Sequence, residues 1–294
     1  MMMTPQILPI EPHQISLPHY AVIQIQGEDA IKYTNGQVTC DVIGLPIGQA
    51  SMGAHCDPKG KVIAAFWLLK VSEDCLLMVY PDALKVKQLA EFKKYAIFSK
   101  ITITDVSNQY HVLGIVCSDI KRVAELSSQS HLSGAVIPVS AQRFMVLTTE
   151  ATSIYPVKNE NVWTLCNIIE HIPTLSAEHQ QEFIPQALNL DALNAISFTK
   201  GCYTGQETVA RAKYRGANNR ALFSLSSANE INTTSSTLTL EKKLGEQWRA
   251  SGTIIQSIWD SNRIFISAVL PSDTDLDSIF RITEIENSEL NIIK

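Results

Sequence analysis

The stretch with the most chemical potential is Lys200-Gly201-Cys202-Tyr203-Thr204-Gly205-Gln206-Glu207. A cysteine reacts through its thiolate, and nearby positive charge or a helix N-terminus favours that form. Both features are expected here. Lys200 stands two residues before Cys202. Thr204 and Glu207 have the spacing of a capping box, which predicts a helix from about Gly205. Arg211, Lys213 and Arg215 suit the last turns of that helix, and Gly216 suits a left-handed end. Gly201 reads as a point of close backbone approach. Cys202 is therefore the thiol expected to have a lowered pKa, and free amides at the helix start could hold an anion. The alternative is an ordinary capped helix preceded by a buried cysteine.

The other cysteines are Cys40, Cys56, Cys75, Cys117 and Cys166. They are widely spaced, with no CxxC and no Cys/His cluster, which argues against a zinc or self-contained iron–sulfur site. No stable metal is expected. In a chain of 294 residues they do not look like a disulfide framework either, and they read as small buried hydrophobes. His55 beside Cys56 reads as structural rather than as a metal pair.

Tyr20–Ile25 reads as a strand, and Glu28 and Asp29 open a short helix that Gly36 can close. Gln37–Val42 is a loop or short strand. Ala50–Cys56 and Lys61–Leu69 read as strands joined by Asp57-Pro58-Lys59-Gly60, whose residues fit a type I turn. Cys75–Tyr80 is a further strand. Pro81-Asp82 starts a helix with Val86, Leu89, Phe92 and Ala96 at helical spacing. Ile101–Asp105, Val112–Cys117 and Arg143–Thr148 read as strands, and Asp119–Ser127 as a helix capped by Ser118 or Asp119. Trp163–Ile169 is apolar enough to be buried, but its type is left open. Met1–Pro18 carries Pro5, Pro9, Pro12 and Pro18 and reads as an extended lead-in.

After Arg220 helical periodicity fades. Ala221–Ser226, Ser236–Lys242, Arg249–Ser257, Arg263–Val269 and Ser278–Thr283 are strand candidates, which suggests a small sandwich or barrel. The fold class is thus α+β. Residues 1–215 form an α+β region, with two modules at about 20–108 and 109–215 as one option, and 216–294 form a C-terminal β domain.

The net charge of −5 does not suggest a general nucleic-acid binder. It is uneven, however. Lys85, Lys87, Lys93, Lys94 and Lys100 lie close together, as do Lys200, Arg211, Lys213, Arg215 and Arg220. Each cluster is either a solvated face or a local attraction for an anion. The start of the chain lacks the pattern of a secretory signal, and its longest apolar run, Val62–Leu69, is too short to span a bilayer. A cytoplasmic location with no membrane contact is expected.

The KGCYTGQE string resembles the signature of the YgfZ family. Further segments are similar: Lys32-Tyr33, Gly36-Gln37-Val38-Thr39 and Asp41; His55-Cys56-Asp57 with Lys59-Gly60-Lys61; Lys93-Lys94-Tyr95-Ala96 with Phe98-Ser99-Lys100; Phe183-Ile184-Pro185-Gln186; Ile196-Ser197-Phe198; and Asp277-Ser278-Ile279-Phe280-Arg281. The resemblance implies a fold like that of the glycine-cleavage T-protein: α+β modules around a central hole that takes folate, with a small C-terminal β-barrel. It implies tetrahydrofolate or a derivative as ligand. It also implies support of iron–sulfur enzymes such as a radical tRNA methylthiotransferase, with the motif cysteine important. Two folate-binding positions carry over. Trp163 matches a family tryptophan, and Tyr20 stands where the family has another. Tyrosine can still stack on a pterin, although its hydroxyl then needs a partner.

Three functions are compatible with this resemblance. The first is a folate-binding accessory protein that supports iron–sulfur enzymes and thereby tRNA methylthiolation, with Cys202 as a reactive thiol. The second is a one-carbon transferase resembling aminomethyltransferase, which would want a carboxylate beside the folate; Asp41 and Asp57 are candidates by position. The third is direct tRNA binding through the basic patches, against which the net acidity argues.

Overall fold

The computed structural model describes residues 9–127, 134–150, 153, 155–227, 238–260, 262–283, 285 and 288–293. In chain order the elements are β1 (His13–Ser16), β2 (Tyr20–Gln26), α1 (Ala30–Gln37), β3 (Ala50–Cys56), β4 (Val62–Ser72), β5 (Cys75–Pro81), α2 (Lys85–Lys93) and β6 (Thr102–Asp105). They continue as β7 (His111–Val116), α3 (Ile120–Ser127), β8 (Ala135–Ser140), β9 (Arg143–Thr148), α4 (Glu160–Ile169) and α5 (Gln206–Arg215). The last part holds β10 (Arg220–Ser227), β11 (Leu240–Leu244), β12 (Gln247–Ala250), β13 (Thr253–Asp260), β14 (Arg263–Pro271), β15 (Ile279–Ile282) and β16 (Glu289–Ile292).

These strands form three sheets, in the orders β3-β4-β5-β2-β6, β1-β7-β9-β8 and β12-β11-β15-β16-β10-β14-β13. The paired strands within each are antiparallel. The class is α+β, as the residue pattern implied. One face of the five-stranded sheet, with Ile23, Phe66 and Met78, packs under α1, α2 and the segment around Phe183–Ile196. Its other face, with Val22, Leu69 and Val79, packs against Val112, Met145 and Leu147 of the four-stranded sheet, and Trp163 is buried in that layer. A separate core, with Leu225, Ile266 and Phe280, fills the C-terminal sheet.

The hairpin between β3 and β4 follows its sequence. The Gly60 amide donates to the Asp57 carbonyl at 2.9 Å, and the Asp57 carboxylate accepts from the amides of Lys59 and Lys61, both at 2.9 Å. Asp119 caps α3 by accepting from the amides of Lys121 and Arg122 at 3.0 and 3.2 Å. The segment left open, Trp163–Ile169, is helical, and Asn159 caps it by accepting from the Asn161 amide at 2.9 Å.

Several expectations need correction. Residues 1–8 of the N-terminal lead-in lie outside the described residues, and its described part contains β1, which pairs with β7. Gly36 does not close α1, which runs on through Gln37; instead its carbonyl accepts a bond from the Thr204 amide at 3.1 Å. Val86 lies 84% exposed, because α2 buries Gln88 and Phe92 instead. Ala96 falls beyond α2 in a separate 3-10 turn. In the C-terminal sheet β11 begins at Leu240, and residues 236–237 lie outside the described residues. The run Arg249–Ser257 divides between β12 and β13.

His55 on β3 is buried, with its Nδ1 2.9 Å from Gln88 Oε1 and its ring edge-on to Phe92. Burial pulls its pKa from 6.5 down to about 4. In the unfolded chain the imidazole takes its proton near pH 6.5, and in the fold only near 4. Stability is therefore intact above pH 6.5 and falls as the pH drops through that window. We expect a loss of about 3 kcal/mol between pH 6.5 and 4 that His55→Gln largely abolishes, as measured by urea unfolding at a series of pH values.

Candidate functional site

The signature loop is built around one ammonium group. Lys200 Nζ donates to the carbonyls of Asn35, Val38 and Cys40 at 2.6, 2.7 and 2.7 Å, with Asn35 Oδ1 at 3.3 Å. These carbonyls belong to the end of α1 and the turn that follows it. Burial pulls the Lys200 pKa down to about 8. The group is still an ammonium at neutral pH, and only the ammonium has the three donors that three carbonyls require. The Lys200 charge is thus committed to the backbone, and is not the free neighbour of Cys202 that the spacing suggested. The Tyr203 ring lies 5.1 Å from the same Nζ.

Neighbouring bonds finish the clamp. Thr39 is fully buried; its hydroxyl donates to the Ala195 carbonyl at 2.6 Å and accepts from the Ala54 amide at 2.8 Å. The Ser197 amide donates to the Thr39 carbonyl at 2.9 Å. Gln186 Nε2 donates to the Val209 carbonyl at 2.7 Å, and Gln181 Nε2 to Asp57 Oδ2 at 3.1 Å. Segments from residues 35–40, 53–61, 181–186, 195–200 and 203–209 thereby meet in one place.

The start of α5 differs from the expected capping box. Thr204 Oγ1 donates to Gln37 Oε1 at 3.3 Å, and Glu207 pairs with Arg211 at 2.5 Å. The N-cap is Gly205, with φ +82°, and no side chain caps it. A Cβ at Gly205 would lie 2.6 Å from the Asp57 carbonyl oxygen and 2.8 Å from Gly60 Cα. The close approach therefore belongs to Gly205, whereas a Cβ at Gly201 would meet nothing. Gly216 does end α5 in the left-handed region, with Lys213 and Arg215 in the last turn.

Cys202 is exposed, and the other five cysteines are buried. Burial pushes the Cys40 thiol up to about 12 and the Cys166 thiol up to about 11, and it raises Cys56 as well. Those thiols are chemically quiet, which leaves Cys202 as the accessible one.

A second feature lies where the two α+β sheets meet. Tyr20 at the start of β2 and Trp163 on α4 line a narrow cleft with Trp67, Tyr80, Asn167 and Thr174. Trp163 Nε1 donates to the Tyr20 hydroxyl at 3.3 Å, which supplies the partner that a buried tyrosine needs. The Trp163 ring packs directly on the backbone of β7, since a Cβ on Gly114 would come within 2.5 Å of it. Arg143 holds the same ring from another side, with its guanidinium carbon 4.5 Å from the ring centroid.

Arg143 is fully buried. Its Nη2 and Nε donate to Glu170 Oε2 at 2.6 and 3.1 Å, and its Nη1 donates to Asn167 Oδ1 at 2.8 Å. This network fixes α4 to β9 and so fixes Trp163. Sequence reasoning missed it; the one available signal was an arginine at the head of the apolar strand Arg143–Thr148.

The structure thus brings Tyr20 and Trp163 together, while Cys202 and the rest of its motif do not line their cleft. Neither carboxylate candidate lines it. Asp41 accepts from the Gly44 amide at 3.1 Å, and both Asp57 oxygens are engaged, Oδ1 by the hairpin amides and Oδ2 by Gln181. Aromatic rings with amide and hydroxyl groups line this narrow cleft. Among the described residues, no group of three His, Cys, Asp or Glu side chains could hold a metal ion.

Residues 15–152 match the model of the GCVT N-terminal domain, and residues 218–285 match that of the YgfZ β-barrel domain. The tRNA-modifying protein YgfZ of Vibrio vulnificus strain YJ016 is 39% identical over 284 residues, which cover 90% of this chain and 86% of the relative. That of Enterobacter sp. strain 638 is 38% identical over 297 residues, which cover 93% and 90%. In structure the chain is similar to glycine cleavage system aminomethyltransferase T from Bartonella henselae, with a TM-score of 0.70 at 10% identity, over 98% of this chain and 86% of that one. The T-protein-like fold that the motifs implied is therefore the fold observed.

Replacing Lys200 by methionine leaves three carbonyls without their shared donor. We expect a loss of about 3 kcal/mol in chemical unfolding, together with faster proteolysis between residues 197 and 206. Lys200→Arg should rescue little, because a planar guanidinium cannot direct three donors at one convergent set of oxygens.

Proposed function

The chain belongs to the YgfZ family, and we propose that it is a folate-binding accessory protein of the cytoplasm that supports iron–sulfur enzymes and thereby tRNA methylthiolation. The observation that carries this reading is the exposure of Cys202 alone among six thiols, on a loop anchored by Lys200. A thiol presented to solvent by a rigid loop suits transfer to or from a protein partner. It can take the outer sulfur of a partner's persulfide, whose thiolate then leaves, or coordinate iron transiently, and a stable cluster would need further ligands from that partner.

The cleft between the sheets would take the folate. Tyr20 and Trp67 supply aromatic faces and Thr174 a hydroxyl at the edge, while the buried Trp163 donates to the Tyr20 hydroxyl. A reduced folate carries a one-carbon unit on its ring nitrogens. The protein's part is to orient the ring and keep water from it, with Trp163 held still by Gly114 and Arg143. A one-carbon transferase is the weaker reading, since no carboxylate lines the cleft to act as base or to stabilise a cation.

In bacteria that lack their own relative, the wild-type chain should restore methylthiolated tRNA, measured by mass spectrometry of digested tRNA. Cys202→Ser should fall to the level of cells with no copy; full restoration by that variant would sink the thiol role. Titration with 5-formyl-tetrahydrofolate should quench tryptophan fluorescence with saturation, and Tyr20→Ala and Trp163→Phe should each weaken binding about tenfold. An unchanged affinity in both variants would place the folate elsewhere.

A further inference from the structure

Helix α5 carries surface that neither the thiol nor the cleft uses. Val209 and Ala212 are buried, so Glu207, Arg211 and Tyr214, at i, i+4 and i+7, lie along the opposite face. Tyr214 is 70% exposed. Its ring meets that of Phe198 edge-on, with centroids 6.1 Å apart, and Lys213 Nζ lies 5.2 Å from the Phe198 centroid. Lys213 and Arg215 are both exposed. The only exposed carboxylate on the helix, Glu207, is paired with Arg211. At the other end of α5 the hairpin turn adds the exposed Lys59, because Gly60 packs against Thr208.

The loop from Phe198 to Gly205 runs antiparallel to the helix. Its Phe198 end meets Tyr214 in the last turn of α5, and its Gly205 end is the N-cap. Cys202 is an exposed residue of this loop, between those two ends. The overall negative charge of the chain does not govern this ridge, since salt at about 0.1 M screens exposed charges from one another beyond about 10 Å.

We infer that the ridge formed by Lys59, Phe198, Arg211, Lys213, Tyr214 and Arg215 docks a single-stranded loop of a structured RNA beside Cys202. Cations spaced along a helix match a phosphate backbone, and an exposed tyrosine offers a stacking face to an unpaired base. A purely acidic protein segment would use the cations but has no need of the tyrosine. This inference deepens the proposed role in tRNA modification and rests on it, by giving the RNA a place to meet the thiol.

The test is binding of a fluorescent RNA hairpin with a seven-nucleotide loop, next to a blunt duplex of equal length and a polyglutamate peptide. We expect the hairpin to bind more tightly than the duplex. The slope of log K against log salt should lie between about −2 and −3, as for three or four phosphate contacts. Tyr214→Ala should weaken binding about tenfold, and Lys213→Glu with Arg215→Glu should flatten the slope by about 1.4. No binding at 20 mM salt, equal binding of the duplex, or indifference to Tyr214→Ala would overturn the inference. Competition by polyglutamate at matched charge would reassign the ridge to an acidic protein. Titrating the same samples with 5-formyl-tetrahydrofolate reports the folate reading separately, so that a failure of one is not mistaken for a failure of the other.

Discussion

The architecture of the signature loop depends on one ammonium held by three backbone carbonyls. Lys200 reaches out of its own loop to the end of α1, about 160 residues earlier in the chain, and fixes the distance between them. Such a bond is hard to replace, because buried carbonyls must be paired and only a compact three-donor group fits where three of them converge. Thr39 and Gly205 complete the joint, the first by bonding in two directions and the second by allowing contact with Asp57 and Gly60. Cys202 stands exposed between Lys200 and Tyr203, both of which are held inward.

The second fixed point is Arg143. A guanidinium with no exposure is costly unless every donor is satisfied, and here the partners are a carboxylate, an asparagine and an aromatic face. The effect is to immobilise Trp163 at the seam between two sheets. The molecule thus has two prepared places, an aromatic cleft and a presented thiol, held by separate networks. That separation favours an accessory protein, in which a bound folate and a partner-facing thiol need not share one reacting centre.

Much of this was legible in the chain. The KGCYTGQE string marked the loop, the Asp57–Gly60 turn marked its hairpin, and alternating apolar residues marked most strands. Several local misreadings trace to bonds that the local pattern does not show. The T-x-x-E spacing suggested a capping box, but Gln37 and Arg211 offered Thr204 and Glu207 other partners. Lys200 looked like a charge for Cys202 until the carbonyls of α1 claimed it. β8 escaped notice because Pro138 breaks a strand pattern, although an edge strand tolerates it. β1 escaped because four residues between prolines give no period. Arg143 gave only one faint signal, its place at the head of an apolar strand, since nothing local shows that a strand's first residue will be buried.

The most direct measurement is a thiol titration of the native, reduced protein with an aromatic disulfide reagent, with the labelled site located by mass spectrometry. The account predicts one equivalent reacting quickly at Cys202 and five more only after unfolding. Rapid labelling of Cys40 or Cys56, or protection of Cys202 in the native state, would contradict the claim that the Lys200 clamp presents this one thiol to partners.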